Sequence, residues 1–404
     1  MTIDKFSPKQ AEVLKFICQD KYDTLICDGA VRSGKTAVMS FAFVMWAMEN
    51  YNKCNFAICG KTVQSAEKNV IKPLLAMEGL PYTLEYKRSE RMLLINCGKT
   101  ENYVYVYGGK DESSYMLIQG ITLAGVFFDE VALMPQSFVD QAISRTLTFG
   151  EAKIWFNCNP ESPAHWFYQT YLAEEQEKQS NVKHLHFLMS DNPIMTPDKI
   201  EKAEGRFAGV FYERYVLGRW VVAEGLVYKV FDENKHVTDT VPESGKYYIS
   251  VDYGTLNPCS MGLWCVQGGI AYRVKEYYYD GRERGSQLTD EEYYNALVEL
   301  AGNKYIQYVI VDPSAASFKT TIRKHNRFSV RNAKNDVIYG INRTATFIQQ
   351  GKIKIHSSCK DILKEFKAYR YDEDATEDKV IKEYYHAMDD MRYFVNTILD
   401  REWR

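Results

Sequence analysis

The feature that most constrains this chain is a loop with the sequence GAVRSGKT at residues 29–36. It fits the pattern G-x-x-x-x-G-K-[ST], whose backbone N–H groups cradle the phosphates of a nucleoside triphosphate. The pattern carries this meaning only between a strand and a helix. TLIC at 24–27 precedes it as an apolar strand candidate, and KTAVMSFAFVMWAM at 35–48 follows with helical length and no Gly or Pro. The sequence therefore predicts an α/β fold built around a P-loop.

The loop residues are predicted to bind ATP and Mg²⁺. Lys35 would reach the β- and γ-phosphates, and the Thr36 hydroxyl would bind Mg²⁺. The remaining nucleotide-binding residues predicted in the loop are Gly29, Arg32, Ser33 and Gly34. For Arg32 two interpretations stay open: an added cation beside the phosphates, or an ordinary surface arginine.

A second element should complete this site. AGVFFDE at 124–130 is an apolar run that ends in two acids, as a buried parallel strand does at its ligand-binding edge. Asp129 would hold Mg²⁺ through water, and Glu130 would orient and polarise the attacking water. A solvated strand end is the alternative, but the P-loop about a hundred residues upstream favours the catalytic interpretation.

Three further segments suit nucleotide chemistry. KIWFNCNP at 153–160 is a strand whose Asn157 or Asn159 could sense the γ-phosphate, or could serve the turn before a proline. Arg145 follows the acidic strand and could stabilise transition-state charge in cis or in trans, or be an ordinary exposed arginine. FSPKQ at 6–10 could place Gln10 on the adenine edge and Phe6 beside the ring.

Composition limits which other classes of function and location are possible. The formal net charge is -3, so any binding of nucleic acid must use local basic patches. The nine cysteines show no C-x-x-C and no zinc spacing, which indicates free thiols in a reducing cytosol. The start of the chain lacks a signal peptide pattern, and its apolar runs are too short for a membrane span.

The back half shows a different pattern. Domain boundaries are predicted at 1–222, a connector at 223–245, and a second domain at 246–404. Strand candidates at 247–251, 260–266 and 271–279 indicate an antiparallel meander, followed by a helix at 288–302, a strand ending in Asp312 and a late helix at 386–399.

Three acids of this second domain could act together. Asp252 and Asp312 end strands, and Asp389 lies on the late helix beside Asp390. Any one of them could be only a turn or surface residue. Together, three carboxylates can hold two divalent ions about 4 Å apart for phosphodiester hydrolysis. Helical periodicity does not choose between Asp389 and Asp390.

A basic segment follows Asp312. It contains six cations and no acid between its ends, and suits a phosphate backbone, although a solvated helix face is the usual alternative. Its members are Lys319, Arg323, Lys324, Arg327, Arg331 and Lys334. His184 and His186, on an apolar strand of the first half, are expected to be structural.

The order of motifs resembles the large terminase subunit of tailed bacteriophages and related prophages. The motifs that carry the resemblance span nearly the whole chain: FSPKQ, GAVRSGKT, VFFDE, FNCNP, LGRW followed by EGLVY, SVDYG, IVDPSA and HxxDDxRY. The resemblance implies an ATPase domain of the additional-strand P-loop type and an RNase H-like nuclease domain. It also implies ATP-driven translocation of double-stranded DNA into a procapsid and metal-dependent cutting of concatemeric DNA.

The resemblance further assigns residues and partners. Lys35, Thr36, Asp129 and Glu130 would run the ATPase, with Arg145 as a finger acting in trans. Asp252, Asp312 and Asp389 would bind Mg²⁺ or Mn²⁺ in the nuclease, with His386 nearby and Asp390 as a neighbouring or alternate ligand.

The implied partners are the portal protein of the procapsid, the small terminase subunit and a homo-oligomeric ring, expected to be pentameric, with a monomer in solution as the alternative. The expected location is the host bacterial cytoplasm and, transiently, the portal vertex, with no membrane. A longer C-terminal portal-docking tail is expected to be absent.

Two other functions stay open from the residues alone. A DNA helicase or helicase-nuclease would need a second motor domain, and the back half offers carboxylates instead of further helicase motifs. An ATP-switched DNA clamp would use the same front half with acids that are only structural. Manganese-dependent plasmid cutting would separate the nuclease from the clamp, and ATP-driven strand separation would favour the helicase.

Overall fold

The computed structural model describes residues 6–173, 180–254, 257–372, 378–381 and 385–400. The chain divides into two compact units. Unit 1 comprises Met1–Glu204 and Tyr212–Val222, and unit 2 comprises Gly205–Phe211 and Ala223–Arg404. Each unit is a mixed α/β structure with its own sheet, as the sequence predicts. Within the described residues, no helix combines the length and apolar character that crossing a bilayer requires.

Unit 1 is built on an eight-stranded sheet in the order β3-β4-β5-β2-β6-β7-β1-β8. The strands are β1 Thr24–Gly29, β2 Asn55–Gly60, β3 Thr83–Lys87, β4 Met92–Cys97, β5 Thr100–Gly108, β6 Gly125–Asp129, β7 Lys153–Asn157 and β8 Val182–Phe187. Strands β5, β2, β6, β7, β1 and β8 run parallel, while β3 and β4 form an antiparallel edge. Strand β7 lies between the P-loop strand β1 and the acidic strand β6.

The central strands of this sheet are apolar because both faces are covered. Every residue of β1, β6 and β7 is buried, as expected for parallel strands between helical layers. The unit 1 α-helices are α1 Pro8–Lys15, α2 Lys35–Asn50, α3 Val63–Ala66, α4 Lys72–Leu75, α5 Gln136–Ser144, α6 Trp166–Tyr171, α7 Pro197–Glu204 and α8 Val210–Tyr215, the last of which crosses the boundary between the units. The predicted strand–loop–helix arrangement is confirmed, with α2 starting at Lys35.

Unit 2 contains a seven-stranded sheet in the order β14-β13-β10-β11-β12-β15-β9. Its strands are β9 Val237–Thr238, β10 Lys246–Asp252, β11 Cys259–Gln267, β12 Ile270–Tyr279, β13 Ile306–Val311, β14 Val330–Asn332 and β15 Ile353–His356. Strands β10, β11 and β12 form the predicted antiparallel meander. Strand β13 then pairs parallel with β10, and β14 parallel with β13.

Helices cover this second sheet. They are α9 Glu233–His236, α10 Gly281–Arg284, α11 Asp290–Ala301, α12 Ala316–Lys324, α13 Val337–Gln349, α14 Lys360–Phe366 and α15 His386–Phe394. Helix α11 begins with a capping box in which Thr289 and Glu292 satisfy each other's backbone N–H groups. Helix α15 continues as a π-helical turn over Val395–Leu399, so the predicted late helix at 386–399 is present with a changed pitch at its end.

The stretch 223–245, predicted as a connector, belongs to unit 2. It contains α9 and β9, and Val237 of β9 pairs with Ile355 of β15. The Val227 N–H also donates to the Tyr369 carbonyl at 2.9 Å. Its turn-rich composition suggested a solvated linker, but the backbone groups of β9 are used to extend the sheet edge, which only the tertiary structure reveals.

Candidate nucleotide and metal sites

The P-loop has the backbone geometry of an anion site. Gly34 adopts φ 85° at the N-cap of α2, so this end of the helix has no capping side chain. The first N–H groups of a helix lack partners within the helix and favour an anion there. Arg32 is exposed at φ 58°, and the Asn192 amide donates to its carbonyl at 2.8 Å. Its exposed side chain leaves both sequence interpretations open.

Lys35 is held inside the loop by oxygen acceptors. Its ammonium group donates to the carbonyls of Gly29 (3.0 Å) and Ala30 (2.8 Å), to the Ser33 hydroxyl (3.2 Å) and to the Asn159 Oδ1 (3.2 Å). The residue is only 5% exposed, and this burial lowers the pKa of Lys35 to about 8. The loop therefore holds a desolvated ammonium group where the phosphates of a nucleotide are expected.

Thr36 and Asp129 meet directly at the carboxyl edge of the sheet. The Thr36 hydroxyl donates to Asp129 Oδ1 at 3.1 Å, and the Asn157 amide donates to both Asp129 Oδ1 (2.6 Å) and Thr36 Oγ1 (2.8 Å). Burial raises the pKa of Asp129, although these hydrogen bonds oppose the shift. Sequence analysis left Asn157 and Asn159 as alternatives; the structure gives each its own contact, Asn157 on Asp129 and Asn159 on Lys35.

Glu130 stands one residue beyond β6 in a left-handed conformation, φ 60°. Such a backbone costs a non-glycine residue about 1–3 kcal/mol and is common at functional sites. Burial and the charge of Asp129 raise the pKa of Glu130. Asn69, which sequence analysis did not identify, donates to Asp129 Oδ2 at 3.4 Å. It lies in a π-helical turn, Glu67–Ile71, with no motif to mark it.

Gln10 lies beside the P-loop. Its amide nitrogen is 2.8 Å from the point where a Cβ on Gly34 would stand, so the glycine permits this close approach. The Gln10 side-chain oxygen also accepts from the Ser7 N–H at 3.1 Å, as part of the capping box of α1. Phe6 stacks on Phe41 of α2, with ring centroids 6.4 Å apart. The adenine roles of Gln10 and Phe6 stay predictions.

Arg145 lies at the other end of the acidic strand from Asp129. Its carbonyl accepts from the Leu123 N–H at 2.9 Å, and Leu123 precedes β6 whereas Asp129 ends it. A five-residue strand spans about 16 Å, farther than an arginine side chain extends. With the Gln141 amide oxygen turned toward it, the guanidinium is bonded through Nε at 3.0 Å. This position suits a role in trans or a structural role, and not one in cis.

An acid missed by sequence analysis lies inside β1. Asp28 is buried and receives hydrogen bonds from His184 Nε2 (2.8 Å), His186 Nδ1 (3.0 Å) and Trp220 Nε1 (2.7 Å). Although burial opposes it, the bonds from the two histidines hold the pKa of Asp28 below its usual range. The structural role expected for His184 and His186 is therefore to hold the buried Asp28 carboxylate. The one sequence feature that could have identified Asp28 is its position directly before the first glycine of the P-loop.

In unit 2, the two strand-end acids come from neighbouring parallel strands. Val251 of β10 pairs with Val311 of β13, so Asp252 and Asp312 leave the sheet at the same edge. His386 Nδ1 lies 2.7 Å from Asp252 Oδ2. Burial and the nearby charge of Asp389 raise the pKa of Asp252, while the His386 hydrogen bond opposes this. Despite burial, the bond to Asp252 raises the pKa of His386.

Asp312 accepts hydrogen bonds from Tyr393 and Ser314. The Tyr393 hydroxyl donates to its Oδ2 at 2.7 Å, and the Ser314 N–H donates to its Oδ1 at 2.6 Å. Although burial opposes it, hydrogen bonds from Ser314 and Tyr393 lower the pKa of Asp312. This carboxylate is therefore ionised and fixed in place at the strand end.

Helix α15 separates the two adjacent aspartates. Asp390 is fully buried and forms a two-pronged ion pair with Arg273, at 2.5 Å and 2.9 Å. It also accepts from the Ser250 hydroxyl at 2.8 Å. Asp389 is 36% exposed and accepts from Arg392 Nη2 at 2.7 Å. Asp390 thus faces the sheet, where its oxygens are already engaged, and only Asp389 faces outward.

A cavity of about 450 Å³ opens on the outward face of α15. Its lining includes His386, Asp389, Arg392 and Tyr393 of that helix and Asn335 before α13. Among the described residues, no three His, Cys, Asp or Glu side chains lie close enough together to hold one metal ion. Asp252, Asp312 and Asp389 therefore share a region but do not form a single coordination shell in this structure.

Glu365 is a further acid near α15 that sequence analysis did not identify. Its carboxylate accepts from the Met388 N–H at 2.9 Å, in the first turn of the helix. Burial raises the pKa of Glu365 to about 8. Its side chain thus fixes the first turn of α15, which carries His386 and Asp389. It comes from α14, where no motif marks it.

Half of the basic segment has local partners. Lys319 is buried and donates to the Pro313 carbonyl at 2.6 Å. Arg327 donates to the Gly302 carbonyl at 3.0 Å, and the Arg331 guanidinium lies 3.7 Å from the centroid of the Tyr308 ring. Lys319 is thus taken up inside the protein, whereas Arg327 is exposed and Arg331 is partly exposed, so for these two arginines the DNA-facing patch stays a prediction. Arg323, Lys324 and Lys334 stay candidates.

Together these features define a class of protein: an α/β nucleotide-binding unit with a P-loop, joined to a second α/β unit that presents acids at a common sheet edge. The family model described as "Terminase large subunit, T4likevirus-type, N-terminal" matches residues 26–235. The chain belongs to this family, the large subunit of the terminases that package phage DNA.

Comparisons with individual proteins agree with this assignment. The large terminase of a thermophilic bacteriophage is 47% identical, with a TM-score of 0.90 over 98% of this chain and 100% of that one. Structures of the same thermophilic-phage protein with ADP and with ATP-γ-S match at 46% identity, with TM-scores of 0.88 and 0.87 and the same coverage. The large terminase subunit of Escherichia phage T5 is 22% identical over 290 residues, which cover 68% of this chain and 65% of the T5 protein.

Proposed function

We propose that this chain is a packaging motor subunit that hydrolyses ATP to move double-stranded DNA into a procapsid and cuts concatemeric DNA with a metal-dependent nuclease. The observation that carries the ATPase half is the Thr36–Asp129 contact at 3.1 Å beside the buried Lys35. This geometry brings together the residues expected to hold Mg²⁺ and phosphates. The complexes of the thermophilic-phage terminase with ADP and ATP-γ-S support nucleotide binding by this chain.

Each residue of the ATPase site has a role that follows from its position. Lys35 offers positive charge to the phosphates from a site shielded from water, where it is worth most. Thr36 and Asp129 would hold Mg²⁺, directly and through water. Glu130, at the strand end next to Asp129, would orient the attacking water and accept its proton. Arg145, remote from its own P-loop, would reach the nucleotide of a neighbouring copy in the ring.

The nuclease half rests on topology and on the acids. The strand order β12-β11-β10-β13-β14, with an antiparallel meander followed by two parallel strands, supports an RNase H-like fold. Asp252 and Asp312 at one sheet edge and Asp389 on α15 are the residues that would hold the ions. Oxygen ligands suit Mg²⁺ or Mn²⁺. When bound, two such ions generate hydroxide and stabilise the leaving oxygen.

The structure offers one observation on the fit of a cation. Burial raises the pKa of Asp252 by disfavouring its charge, and the neighbouring Asp389 carboxylate adds to this by repulsion. A divalent cation between them would relieve this repulsion. Tyr393 donates to Oδ2 of Asp312 and Arg392 to Oδ1 of Asp389, so these two oxygen atoms share their lone pairs with protein donors before any ion binds.

The remaining partners follow from the family. They are the portal protein of the procapsid, the small terminase subunit and further copies of this chain in a ring, proposed to be pentameric. The proposed location is the cytoplasm of the bacterial host and, during packaging, the portal vertex.

Two assays on the full chain test the proposal. Purified protein should hydrolyse ATP, and should convert supercoiled plasmid to nicked and linear forms with Mn²⁺. Lys35→Ala should lose only ATP hydrolysis, and Asp252→Asn only cutting. ATP hydrolysis without any Mn²⁺-dependent cutting would instead favour the ATP-switched clamp, and ATP-driven strand separation would favour a helicase.

A further inference from the structure

The inference concerns Arg392, which holds the outward-facing acid of α15. Arg392 is only 3% exposed, and its Nη2 and Nε both donate to Asp389 Oδ1, at 2.7 Å and 3.2 Å. Its Nη1 lies 3.3 Å from the Asn335 carbonyl and 3.4 Å from the Asp336 carbonyl. The guanidinium is thus fixed between α15 and the segment that leads into α13.

This contact competes with metal binding. A carboxylate oxygen that accepts two N–H groups from a guanidinium has little capacity left for a cation. Asp389 can offer both of its oxygens to ions only if Arg392 releases Oδ1. Asp389 is partly exposed although Arg392 is not, so solvent and ions can reach the carboxylate side of the pair.

The released guanidinium has a place to go. Arg392 and Asp389 line the same cavity of about 450 Å³ on the outward face of α15. A DNA strand that approaches the carboxylates brings phosphate oxygens to this side of the helix. The planar fork of an arginine binds phosphate in the same geometry in which it binds carboxylate.

We propose that Arg392 exchanges partners during the nuclease reaction: it holds Asp389 until metal and DNA arrive, and then binds a phosphate of the strand to be cut. This inference rests on the proposed nuclease function. It gives Arg392 two opposite effects, lowering metal affinity in the free protein and raising affinity for DNA in the reacting complex. An arginine that only stabilised the fold would favour both metal binding and DNA binding, so replacing it would weaken both.

The test compares Arg392→Gln and Arg392→Lys with the wild-type full chain, without nucleotide. Titration calorimetry measures Mn²⁺ binding, and the signal lost in Asp252→Asn defines the ions bound at the nuclease site. Arg392→Gln should bind these ions about fivefold more tightly, because the guanidinium no longer competes with them for Asp389 Oδ1. At saturating Mn²⁺ its KM for DNA should rise about tenfold, because a charge-assisted phosphate contact is lost. Arg392→Lys should lie between it and the wild type in both measurements.

A control variant and the possible contrary results test the metal competition and the phosphate contact separately. Lys364→Gln, an exposed lysine on α14, removes the same charge and should leave both measurements at wild-type values. Unchanged or weaker Mn²⁺ binding in a folded Arg392→Gln would overturn the competition, and an unchanged or lower KM for DNA would overturn the phosphate role. If Arg392→Gln does not fold, wild-type values in Arg392→Lys would overturn the proposal. If Asp252→Asn loses no Mn²⁺ signal, the proposed nuclease site itself is wrong.

Discussion

Replacing Asp390 by asparagine should destabilise unit 2 without removing a metal ligand. Asp390 and Arg273 are both 0% exposed, and their two-pronged pair stands in the core between α15 and the sheet. Removing one member of a buried pair costs about 3–5 kcal/mol, because the other charge loses its compensation. Glu276 remains 3.3 Å from Arg273, so we expect the lower end of that range, about 3 kcal/mol.

Asp389→Asn provides the matched comparison one residue away. Asp389 is partly exposed, and Arg392 keeps its carbonyl contacts when the charge is removed. The asparagine still offers one oxygen to the guanidinium, so the cost to folding should be about 1 kcal/mol. For a unit of this size about 3 kcal/mol corresponds to a fall of roughly 6–12 °C in Tm, against roughly 2–4 °C for about 1 kcal/mol.

Differential scanning calorimetry and plasmid cutting with Mn²⁺ measure the two effects. Cutting is measured well below the lowest Tm, so that each variant is folded. Asp390→Asn should unfold early yet cut DNA, whereas Asp389→Asn should unfold near the wild-type temperature and fail to cut. Asp361→Asn, a partly exposed acid on α14, controls for the loss of one negative charge. A thermally normal Asp390→Asn that cannot cut, beside an active Asp389→Asn, would refute the assignment of the two helix faces.

Three further predictions concern unit 1. Lys35→Ala should abolish ATP turnover by removing the buried cation at the phosphates, while Mn²⁺-dependent cutting persists; normal turnover in a steady-state phosphate-release assay would disprove the role. Arg145→Ala should bind ATP and hydrolyse it slowly, and mixing it with the Lys35→Ala protein in an assembled ring should restore some turnover; without rescue, the trans role fails. Because burial lowers the pKa of Lys35 to about 8, Lys35 of the free protein loses its proton as pH rises past that value. ATP affinity should therefore fall from about pH 8 upward, with a fraction of a proton taken up on binding at about pH 8.5, measured by calorimetry in buffers of different ionisation enthalpy. The same depressed pKa means that this lysine destabilises the fold below about pH 8 and that the penalty disappears as pH rises toward the ordinary lysine value of 10.5. If ATP binding at about pH 8.5 took up no proton, the depressed pKa of Lys35 would be contradicted.

The local sequence was sufficient wherever one element carries the whole signal. The P-loop needs a strand, a glycine-rich turn and a helix in immediate succession, so residues 24–50 show it without reference to the rest of the chain. The same holds for the acidic end of β6 and for the antiparallel meander of β10 to β12, whose β-rich runs and Gly268-Gly269 turn are local. The family motifs added the order of the two halves, which the family model and the thermophilic-phage structures support.

Residues whose role depends on distant partners could not be predicted in this way. Helical periodicity places Asp389 and Asp390 about 100° apart but does not say which direction the sheet occupies. Arg273, from β12, decides this by pairing with Asp390. Likewise Asn69 and Glu365 lie in segments without motifs, and become functional candidates only because the fold brings them to Asp129 and to α15.

Residues close together in the chain were therefore enough to establish an α/β protein with a phosphate loop, a back half that presents acids at strand ends, and the family that these motifs resemble. Long-range packing was needed to show that Asp390 is a core ion pair and that Arg145 lies away from its own P-loop. It was also needed to show that β9, within residues 223–245, extends the second sheet and that Lys319 of the basic segment is buried. The cause is the same each time, because burial and pairing depend on partners that sequence spacing does not identify.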